Sequence, residues 1–126
     1  MTGVQTCALP IPLHIKDVGI IYDTSVHDID TANWLFDDMP LVVFARSGRI
    51  NHEHEDFASI MLGYKNDKVA IISSNWITPK KVRTFTAVCT DAIITSDFIS
   101  LRVDLYSGLS AIYSLMILIY SCRILL

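Results

Sequence analysis

The chain lacks the glycine pattern with which proteins usually hold a dinucleotide or a nucleoside triphosphate. Its 126 residues include five glycines, at positions 3, 19, 48, 63 and 108. They form neither G-x-G-x-x-G nor a P-loop, the motifs whose glycines let backbone N–H groups approach a pyrophosphate. A dinucleotide or ATP site of the usual kind is therefore excluded for this sequence.

Cysteine and basic residues are also scarce. Cys7, Cys89 and Cys122 are far apart and odd in number, which argues against a disulfide framework or a zinc knuckle. A reducing cytosol is the default compartment for such a sequence, so we expect a cytoplasmic protein. The net charge is −3 and the ten Lys and Arg residues are scattered, so a nucleic-acid partner is not expected.

The length suits one domain with one core, and it is too short for a cofactor domain and a substrate domain together. Mean hydropathy is +0.43, which is high for a soluble domain, and the excess lies in the almost uncharged residues 107–126. This tail approaches the length of a transmembrane helix. We favour a frameshifted or chimaeric read-through, and an ordinary element of the domain or a membrane span remains open.

The first eleven residues, Met-Thr-Gly-Val-Gln-Thr-Cys-Ala-Leu-Pro-Ile, resemble the translation of a sequencing-library adapter joined to a coding read. They lack the basic start and the sustained apolar stretch of a signal peptide. We therefore predict three segments. Residues 1–11 are non-native, residues 12–106 form a truncated domain, and residues 107–126 are the apolar tail.

One stretch combines helical periodicity with clustered ionisable side chains. Side chains three and four residues apart share a face of a helix, and one such stripe consists of Asp23, His27, Asp30 and Trp34. A second stripe, predicted to pack on the core, consists of Tyr22, Val26, Ile29 and Phe36. We place the helix at about 18–37, because Asp17 can cap its start and Pro40 disfavours its continuation.

The first stripe suggests proton transfer. A carboxylate four residues before an imidazole can orient the ring and raise its basicity, as a general base near neutral pH requires. Asp23 and His27 have this spacing. Spacing alone also fits a surface helix with solvated charges, since paired titratable groups are often only structural.

After Pro40 the sequence becomes rich in β-forming residues. Five runs, at 41–50, 56–64, 68–77, 81–90 and 92–105, are separated by turn signals such as Lys65-Asn66-Asp67 and Thr78-Pro79. Short connections favour antiparallel neighbours. We predict an α+β fold, a mostly antiparallel sheet with one long N-terminal helix packed on one face. Apolar residues on both faces of the strands predict that a second copy of the chain covers the other face.

Two polar clusters in the strand region are further candidates. His52 and His54 could bind a metal, but a third ligand at a defined spacing is missing, so we favour a solvated loop beside a substrate cleft and predict no metal site. Lys80, Lys81 and Arg83 could hold a phosphate or a carboxylate. Ordinary surface charge is the alternative for these three.

The helix carries a resemblance to a known family. Asp23-x-x-x-His27-x-x-Asp30-x-x-x-Trp34-Leu35 resembles the central helix in the C-terminal domain of the Gfo/Idh/MocA oxidoreductases, the glucose-fructose oxidoreductase and inositol dehydrogenase family. Further matches lie at 49–53, 55–56, 76–79 and 81–83, so the resemblance runs through about residues 15–105. The second half is most similar to prokaryotic enzymes that act on nucleotide-linked amino sugars.

The resemblance implies a substrate-binding and catalytic domain of an NAD(P)-dependent dehydrogenase for a sugar or nucleotide sugar, assembled as a homo-oligomer. It implies that His27 removes a hydroxyl proton, that Asp23 orients and polarises the site, and that Asp30 holds the helix or contacts substrate. The other substrate-binding candidates are Trp76, Thr78, Lys80 and Arg83. NAD or NADP would bind an N-terminal half that this sequence lacks, together with its Glu-Lys-Pro segment, so no cofactor is expected on the fragment itself. The alternative is a catalytically silent sugar-binding or oligomerisation module.

Overall fold

A computed structural model describes residues 2–8 and 17–107 of the chain. Within these residues the chain forms one sheet and one helical segment. In chain order the elements are β1 (Thr2–Ala8), a π-helical turn (Ile21–Ser25), α1 (Val26–Phe36), β2 (Val42–Gly48), β3 (Phe57–Gly63), β4 (Val69–Asn75), β5 (Val82–Val88), β6 (Ala92–Asp97) and β7 (Arg102–Ser107). None of the described helices is long and apolar enough to cross a membrane.

The sheet has seven strands in the order β2-β3-β4-β1-β5-β6-β7. β1 pairs in parallel with β4 and antiparallel with β5, so the sheet is mixed. The prediction of a mostly antiparallel sheet is therefore wrong, although the α+β class is correct. The difference arises because residues 2–8, set aside as adapter-like, form the central strand. In addition, the predicted run 92–105 divides into β6 and β7. Apart from Ser107, the apolar tail lies outside the described residues.

The helical segment is shorter than predicted, and the side chains that face the sheet are not all those of the predicted apolar stripe. It has 16 residues, 21–36, instead of 18–37, which corrects the prediction of one long helix. Its first five residues form a π-turn, in which the Val26 N–H donates to the Ile21 carbonyl. A π-turn is wider than an α-turn and changes which side chains share a face. Tyr22 and Val26, predicted to be buried, are 78% and 43% exposed.

The helical segment packs on the face of the sheet formed by alternate residues of β3 and β4. The buried members of this main core are Ile20, Ala32, Phe36, Ala58, Ile60, Leu62, Tyr64, Ala70, Ile72 and Trp76. The Phe36 ring meets the Tyr64 ring edge-on, with 4.8 Å between centroids. A smaller cluster, Phe85, Ala87 and Ile94, lies on the other side of β1. The helical segment is thus held mainly over one half of the sheet.

Left-handed backbone residues occur at three connections, one of them Leu101 (φ 56°) between β6 and β7. Asn66 and Asp67, with φ of 58° and 56°, join β3 to β4 at the turn that the sequence predicts, and Asn and Asp tolerate this conformation. Asp37 has φ 48° and ψ 45° and ends α1, with its N–H directed to the carbonyls of Asn33 and Trp34. The helix end is therefore closed by an aspartate in the conformation that glycine usually supplies.

We expect Asp37→Gly to stabilise the chain. Glycine adopts the left-handed region without the steric cost of a Cβ, and the substitution removes a carboxylate from the negative end of the helix dipole. The expected gain in the free energy of unfolding is about 0.5–1.5 kcal/mol in urea denaturation. Asp37→Asn removes only the charge and should gain less. A denaturation midpoint for Asp37→Gly at or below that of the unmodified chain would contradict this account.

Candidate functional site

The loop between β2 and β3 and the turn between β4 and β5 lie side by side at one end of the sheet. Gly48 at the end of β2 is in register with Phe57, which is in register with Asn75 at the end of β4. Trp76, the first residue after β4, donates its backbone N–H to the backbone carbonyl of Asp56 at 2.8 Å. The polar clusters of the sequence therefore converge on one edge of the fold.

The helical segment begins at the same edge. The Ile20 N–H donates to the Glu55 carbonyl at 2.9 Å. The Glu55 carboxylate lies directly against the Cα of Gly19, where the Cβ of another residue would overlap it. Glycine at position 19 permits this close approach. As a result, the turn that carries Asp23 is held beside the 49–56 loop.

A buried carboxylate organises that loop. Asp56 is fully buried, and its carboxylate accepts the backbone N–H of Ile50 at 2.9 and 3.0 Å and that of Asn51 at 2.6 Å. Backbone donors fixed on one charged acceptor hold a loop in a single shape. An open cleft of about 400 Å³ lies along it, lined by Ser47, Gly48, Arg49, Glu53, His54 and Glu55. The loop thus forms one polar wall of the candidate site.

The two histidines of the loop are packed against protein groups. The His54 N–H donates to His52 Nδ1 at 3.2 Å. The His52 ring meets the Trp76 indole edge-on, with 5.4 Å between centroids. Among the described residues, no group of three or more His, Cys, Asp or Glu side chains is placed to hold a metal ion. This geometry favours the loop interpretation.

The stripe with the predicted catalytic residues lies on the outer face of the helical segment. His27 and Asp30 are exposed, Trp34 is 54% exposed, and Asp23 is half-buried. The Asp23 carboxylate accepts the Thr24 hydroxyl at 3.0 Å. No hydrogen bond or ion pair within the described part of the chain joins Asp23 to His27. An imidazole on this face can take a proton from a ligand that approaches from outside.

The π-turn coincides with this stripe. It contains Asp23 and ends two residues before His27. Such turns are rare and often occur at functional sites, because they re-aim side chains that a regular helix would place elsewhere. The same turn places Thr24 and Ser25 against the sheet, where both are buried. It is thus a second structural indication of function at this segment, independent of residue spacing.

Asp28, which no predicted stripe included, is fully buried beneath the helix. Its Oδ1 accepts Gln5 Nε2 at 2.7 Å, and Oδ2 has no hydrogen-bond partner among the described residues. Burial raises the pKa of Asp28 to about 6, and the charge of Arg83 and the Ser74 hydroxyl partly oppose that rise. Ser25 and Asp28 are three residues apart and therefore lie on the same side of the helix, which here faces the sheet. The sequence could have indicated the burial of Asp28 only if the π-turn had been included in the predicted helix.

The four substrate-binding candidates of the strand region divide into two pairs. Thr78 and Lys80 lie in the turn after β4, where the Thr78 hydroxyl donates to Asn75 Oδ1 at 2.6 Å. Trp76, in contrast, is 1% exposed and belongs to the core. Arg83 is half-buried, and its guanidinium lies 5.5 Å from the Phe98 ring centroid. Its Nε is buried and has no hydrogen-bond partner within the part of the chain that the structure describes. Of the four, Lys80 is exposed and Thr78 is half-buried, whereas Trp76 lies in the core and Arg83 is half-buried on β5.

Asp28→Asn should change how stability depends on pH. The pKa of Asp28 in the folded chain, about 6, is above its ordinary value of 3.8, so the folded state binds this proton more tightly than the unfolded state. Below pH 3.8 the carboxyl is protonated in both the folded and the unfolded state, so it does not lower the free energy of unfolding. Between pH 3.8 and about pH 6 the loss of stability grows. Above that it amounts to about 3 kcal/mol, the equivalent of about two pKa units.

We expect Asp28→Asn, which can still accept from Gln5, to be more stable than the unmodified chain by about 1–3 kcal/mol at pH 8 and by much less at pH 4. Urea denaturation at both pH values measures the difference. Asp30→Asn, an exposed site on the same helix, is the matched control and should show no such trend. An equal gap at the two pH values would show that Asp28 does not titrate in this range.

Comparison with known proteins identifies the family and the fold of the chain. The model of the GFO/IDH/MocA C-terminal domain matches residues 14–95. No curated protein sequence matches the chain. The fold is similar to that of UDP-N-acetylglucosamine 3-dehydrogenase GnnA from Acidithiobacillus ferrooxidans, with a TM-score of 0.79, 20% identity and 88% of this chain covered against 36% of that one.

Two further solved structures share the fold. For the WlbA dehydrogenase from Bordetella pertussis, in complex with NADH and UDP-GlcNAcA, the TM-score is 0.71 at 15% identity, covering 84% of this chain and 37% of that one. An oxidoreductase from Agrobacterium radiobacter, in complex with NAD+, L-tartaric acid and magnesium, has a TM-score of 0.70 at 21% identity. That match covers 85% of this chain and 35% of the other. The chain spans little more than a third of these relatives. Because the family model covers more than half of the sequence, the chain belongs to the GFO/IDH/MocA family, of which it carries the C-terminal domain.

Proposed function

We propose that this chain is the substrate-binding and catalytic domain of an NAD(P)-dependent oxidoreductase that acts on a hydroxyl of a sugar or nucleotide sugar, and that it is inactive alone. The observation that carries the proposal is the Asp23-x-x-x-His27 pair on the outer face of a helical segment, at a π-turn. In a domain of this family, an exposed imidazole with a carboxylate one turn away suits proton abstraction from a hydroxyl.

In the proposed reaction, His27 accepts the hydroxyl proton while the C–H bond of the same carbon loses its hydride. Asp23 lies one turn before His27 and polarises the site, because its negative charge favours the imidazolium that forms. The hydride acceptor is the nicotinamide of NAD or NADP, which another domain would hold, since this chain has no pyrophosphate-binding glycine motif. The half of the reaction assigned to this chain is therefore substrate orientation and proton removal.

The substrate class is supported by the relatives and by the exposed polar groups. One similar structure is a UDP-N-acetylglucosamine 3-dehydrogenase, and another contains UDP-GlcNAcA with NADH. We assign Asp30 on the helix and Thr78 and Lys80 on the turn to substrate contact, with Lys80 as the cation for a diphosphate or carboxylate. Trp76 and Arg83 support the site from the core side. A cytoplasmic location, where nicotinamide cofactors are available, belongs to the same proposal.

Joining residues 1–107, which keep the central strand β1, to the cofactor domain of Acidithiobacillus ferrooxidans GnnA, in place of its own C-terminal domain, tests the proposal. We expect NADH formation with UDP-N-acetylglucosamine and a decrease of about 10²- to 10⁴-fold in kcat for His27→Ala, the range typical of a positioned general base. Asp23→Asn should lose less, because it removes the charge and keeps a hydrogen-bonding group. A near-normal kcat for folded His27→Ala would refute the role of this helix.

Two controls accompany that measurement. Val26→Ala, on the exposed face next to His27, should leave kcat unchanged. The chain without a cofactor domain should give no saturable change in NADH fluorescence. Micromolar NADH binding by the chain alone would show that it holds the cofactor in a way its glycines do not indicate.

The second candidate function is a non-catalytic sugar-binding or oligomerisation module, and the open face of the sheet favours it. Side chains on that face remain exposed although they are apolar: Phe44, Met61, Ile71, Val88, Ile93 and Tyr106. An apolar face of this extent is typical of an interface between subunits. We propose that it joins copies of this chain, which is compatible with either function. An in-frame upstream G-x-G-x-x-G and Glu-Lys-Pro would decide for the enzyme.

A lysine on the open face should separate the subunits. Phe44 and Met61 are register partners on β2 and β3 and are 67% and 46% exposed. Phe44→Lys or Met61→Lys would place an unpaired charge in the proposed interface, which is strongly disfavoured on burial. Light scattering after size exclusion should show a multiple of 14.1 kDa for the unmodified chain and 14.1 kDa for either variant. Tyr22→Lys on the outer helix face is the control, and a monomeric unmodified chain would exclude the interface.

We also propose that residues 1–11 and 107–126 are not native to this domain. The match of the family model covers residues 14–95 and includes no residue of either segment. Sequencing across both ends of the reading frame tests this. We expect the continuous natural gene to encode a different sequence in place of one or both segments.

A further inference from the structure

The turn between β6 and β7, residues 98–101, lies at the same end of the sheet as the candidate site. The register places Val82, the first residue of β5, in line with Asn75, the last residue of β4. β6 ends and β7 begins at this same end. The Phe98 N–H donates to the Arg83 carbonyl at 2.9 Å, which fixes the turn to β5. The 98–101 turn is therefore the next feature along this edge after the turn between β4 and β5.

The backbone of the 98–101 turn is strained at an apolar residue. Leu101 has φ of 56°, whereas the other non-glycine residues with positive φ, among those that the structure describes, are Asp37, Asn66 and Asp67. A bulky side chain in this conformation is an outlier, because its Cβ approaches the following carbonyl oxygen. Strained residues cluster at ligand contacts and active sites. The leucine is thus an indication of function, since asparagine or glycine would form the same turn at a lower cost.

The strained residue is directed to solvent. Leu101 is 71% exposed, and Ile99 on the same turn is 47% exposed. The Asp97 carboxylate accepts the backbone N–H groups of Ile99 at 2.8 Å and Ser100 at 3.3 Å, which braces the turn. Single exposed apolar residues are common, but here two occupy one braced and strained turn. Folding gains little from either side chain, and both are available to a ligand.

A cation lies beside this apolar tip. The backbone N–H of Ile99 and the Ser100 side chain lower the pKa of Asp97, and the charge of Lys80 lowers it further. The Lys80 ammonium is therefore near the start of the 98–101 turn. Lys80 is exposed and belongs to the turn between β4 and β5. An anion held by Lys80 would have the 98–101 turn on one side and the helical segment, which packs on β3 and β4, on the other.

We propose that the 98–101 turn is the subsite for the nucleoside end of a nucleoside diphosphate, with Leu101 and Ile99 against one face of the base. The inference rests on the proposed nucleotide-sugar substrate and deepens it. Hexose, diphosphate and nucleoside are joined in a line, and the helical segment, Lys80 and the 98–101 turn follow one another in the same order along the sheet edge. Three strand spacings of about 4.8 Å separate β4 from β6, about 14 Å in all. That span requires an extended ligand.

The side chains of the tip determine what is recognised. Leucine and isoleucine contact the π-face that every base has, and they offer no hydrogen-bond donor or acceptor to its edge. The tip therefore distinguishes a nucleoside diphosphate from a bare diphosphate, and it does not read the identity of the base.

Calorimetric titration of the full chain with UDP and with pyrophosphate tests the subsite. Leu101→Asn removes the apolar side chain and introduces a residue that tolerates the left-handed backbone. We expect this variant to bind UDP about 5- to 20-fold more weakly, to bind pyrophosphate as before, and to unfold at a higher Tm. Weaker binding by a more stable variant is not explained by misfolding. Ile99→Ser, which leaves the strained residue in place, should weaken UDP binding in the same direction.

Leu41→Asn is the matched control. Leu41 is 66% exposed and donates its N–H to the Gly63 carbonyl at the opposite end of the sheet, so both affinities should stay unchanged. Three results would overturn the inference: no UDP binding by the chain, equal weakening of UDP and pyrophosphate, or an unchanged UDP affinity in Leu101→Asn. The last would favour a protein as the occupant of the tip. UDP carries no hexose, so this titration is independent of His27, and failure of the subsite is distinguishable from failure of the proposed base.

Discussion

The Asp56 carboxylate is the interaction on which the candidate site most depends. Its three short contacts to backbone N–H groups fold the 49–55 loop back on itself, and its own carbonyl accepts the Trp76 N–H. The neighbouring Glu55 carbonyl receives the first N–H of the helical segment. One buried acid and its neighbour therefore join the ends of β2, β4 and the helix. The backbone donors replace the hydration that the carboxylate loses on burial.

Local patterns predicted most of the elements, and tertiary effects account for the errors. The Lys65-Asn66-Asp67 turn was predictable because few residues adopt two successive left-handed conformations. The parallel strand β1 was not predicted, because residues 1–11 were set aside as adapter-like, and its backbone pairs only with β4 and β5. The π-turn was equally invisible, since a register change of one residue leaves no sequence signature. That single change moved Tyr22 and Val26 from the core to the surface.

In the candidate site, too, local patterns were predictable and tertiary effects were not. The outer stripe of Asp23, His27 and Asp30 could be predicted because it depends only on spacing within one segment. The burial of Trp76 and Arg83 could not, because residue type does not state which face of a strand the helix covers. Asp28 was missed for a related reason. An acid next to a catalytic candidate suggests solvent exposure, and only the structure shows its carboxylate turned toward the sheet.

Asp23 and Asp28 show how environment separates two similar groups on one helical segment. Asp23 is half-buried, and its carboxylate accepts the neighbouring Thr24 hydroxyl. Asp28 is desolvated and retains one hydrogen bond, so its charge opposes folding near neutral pH. An apolar residue at position 28 would avoid this cost but would leave the buried Gln5 amide without its acceptor. The carboxylate instead gives the helix a directional contact with the sheet, which apolar packing, being non-directional, does not provide. The polar underside and the polar outer face of this segment are therefore two consequences of the same π-turn, which turns Ser25 and Asp28 inward and leaves Asp23 and His27 facing outward.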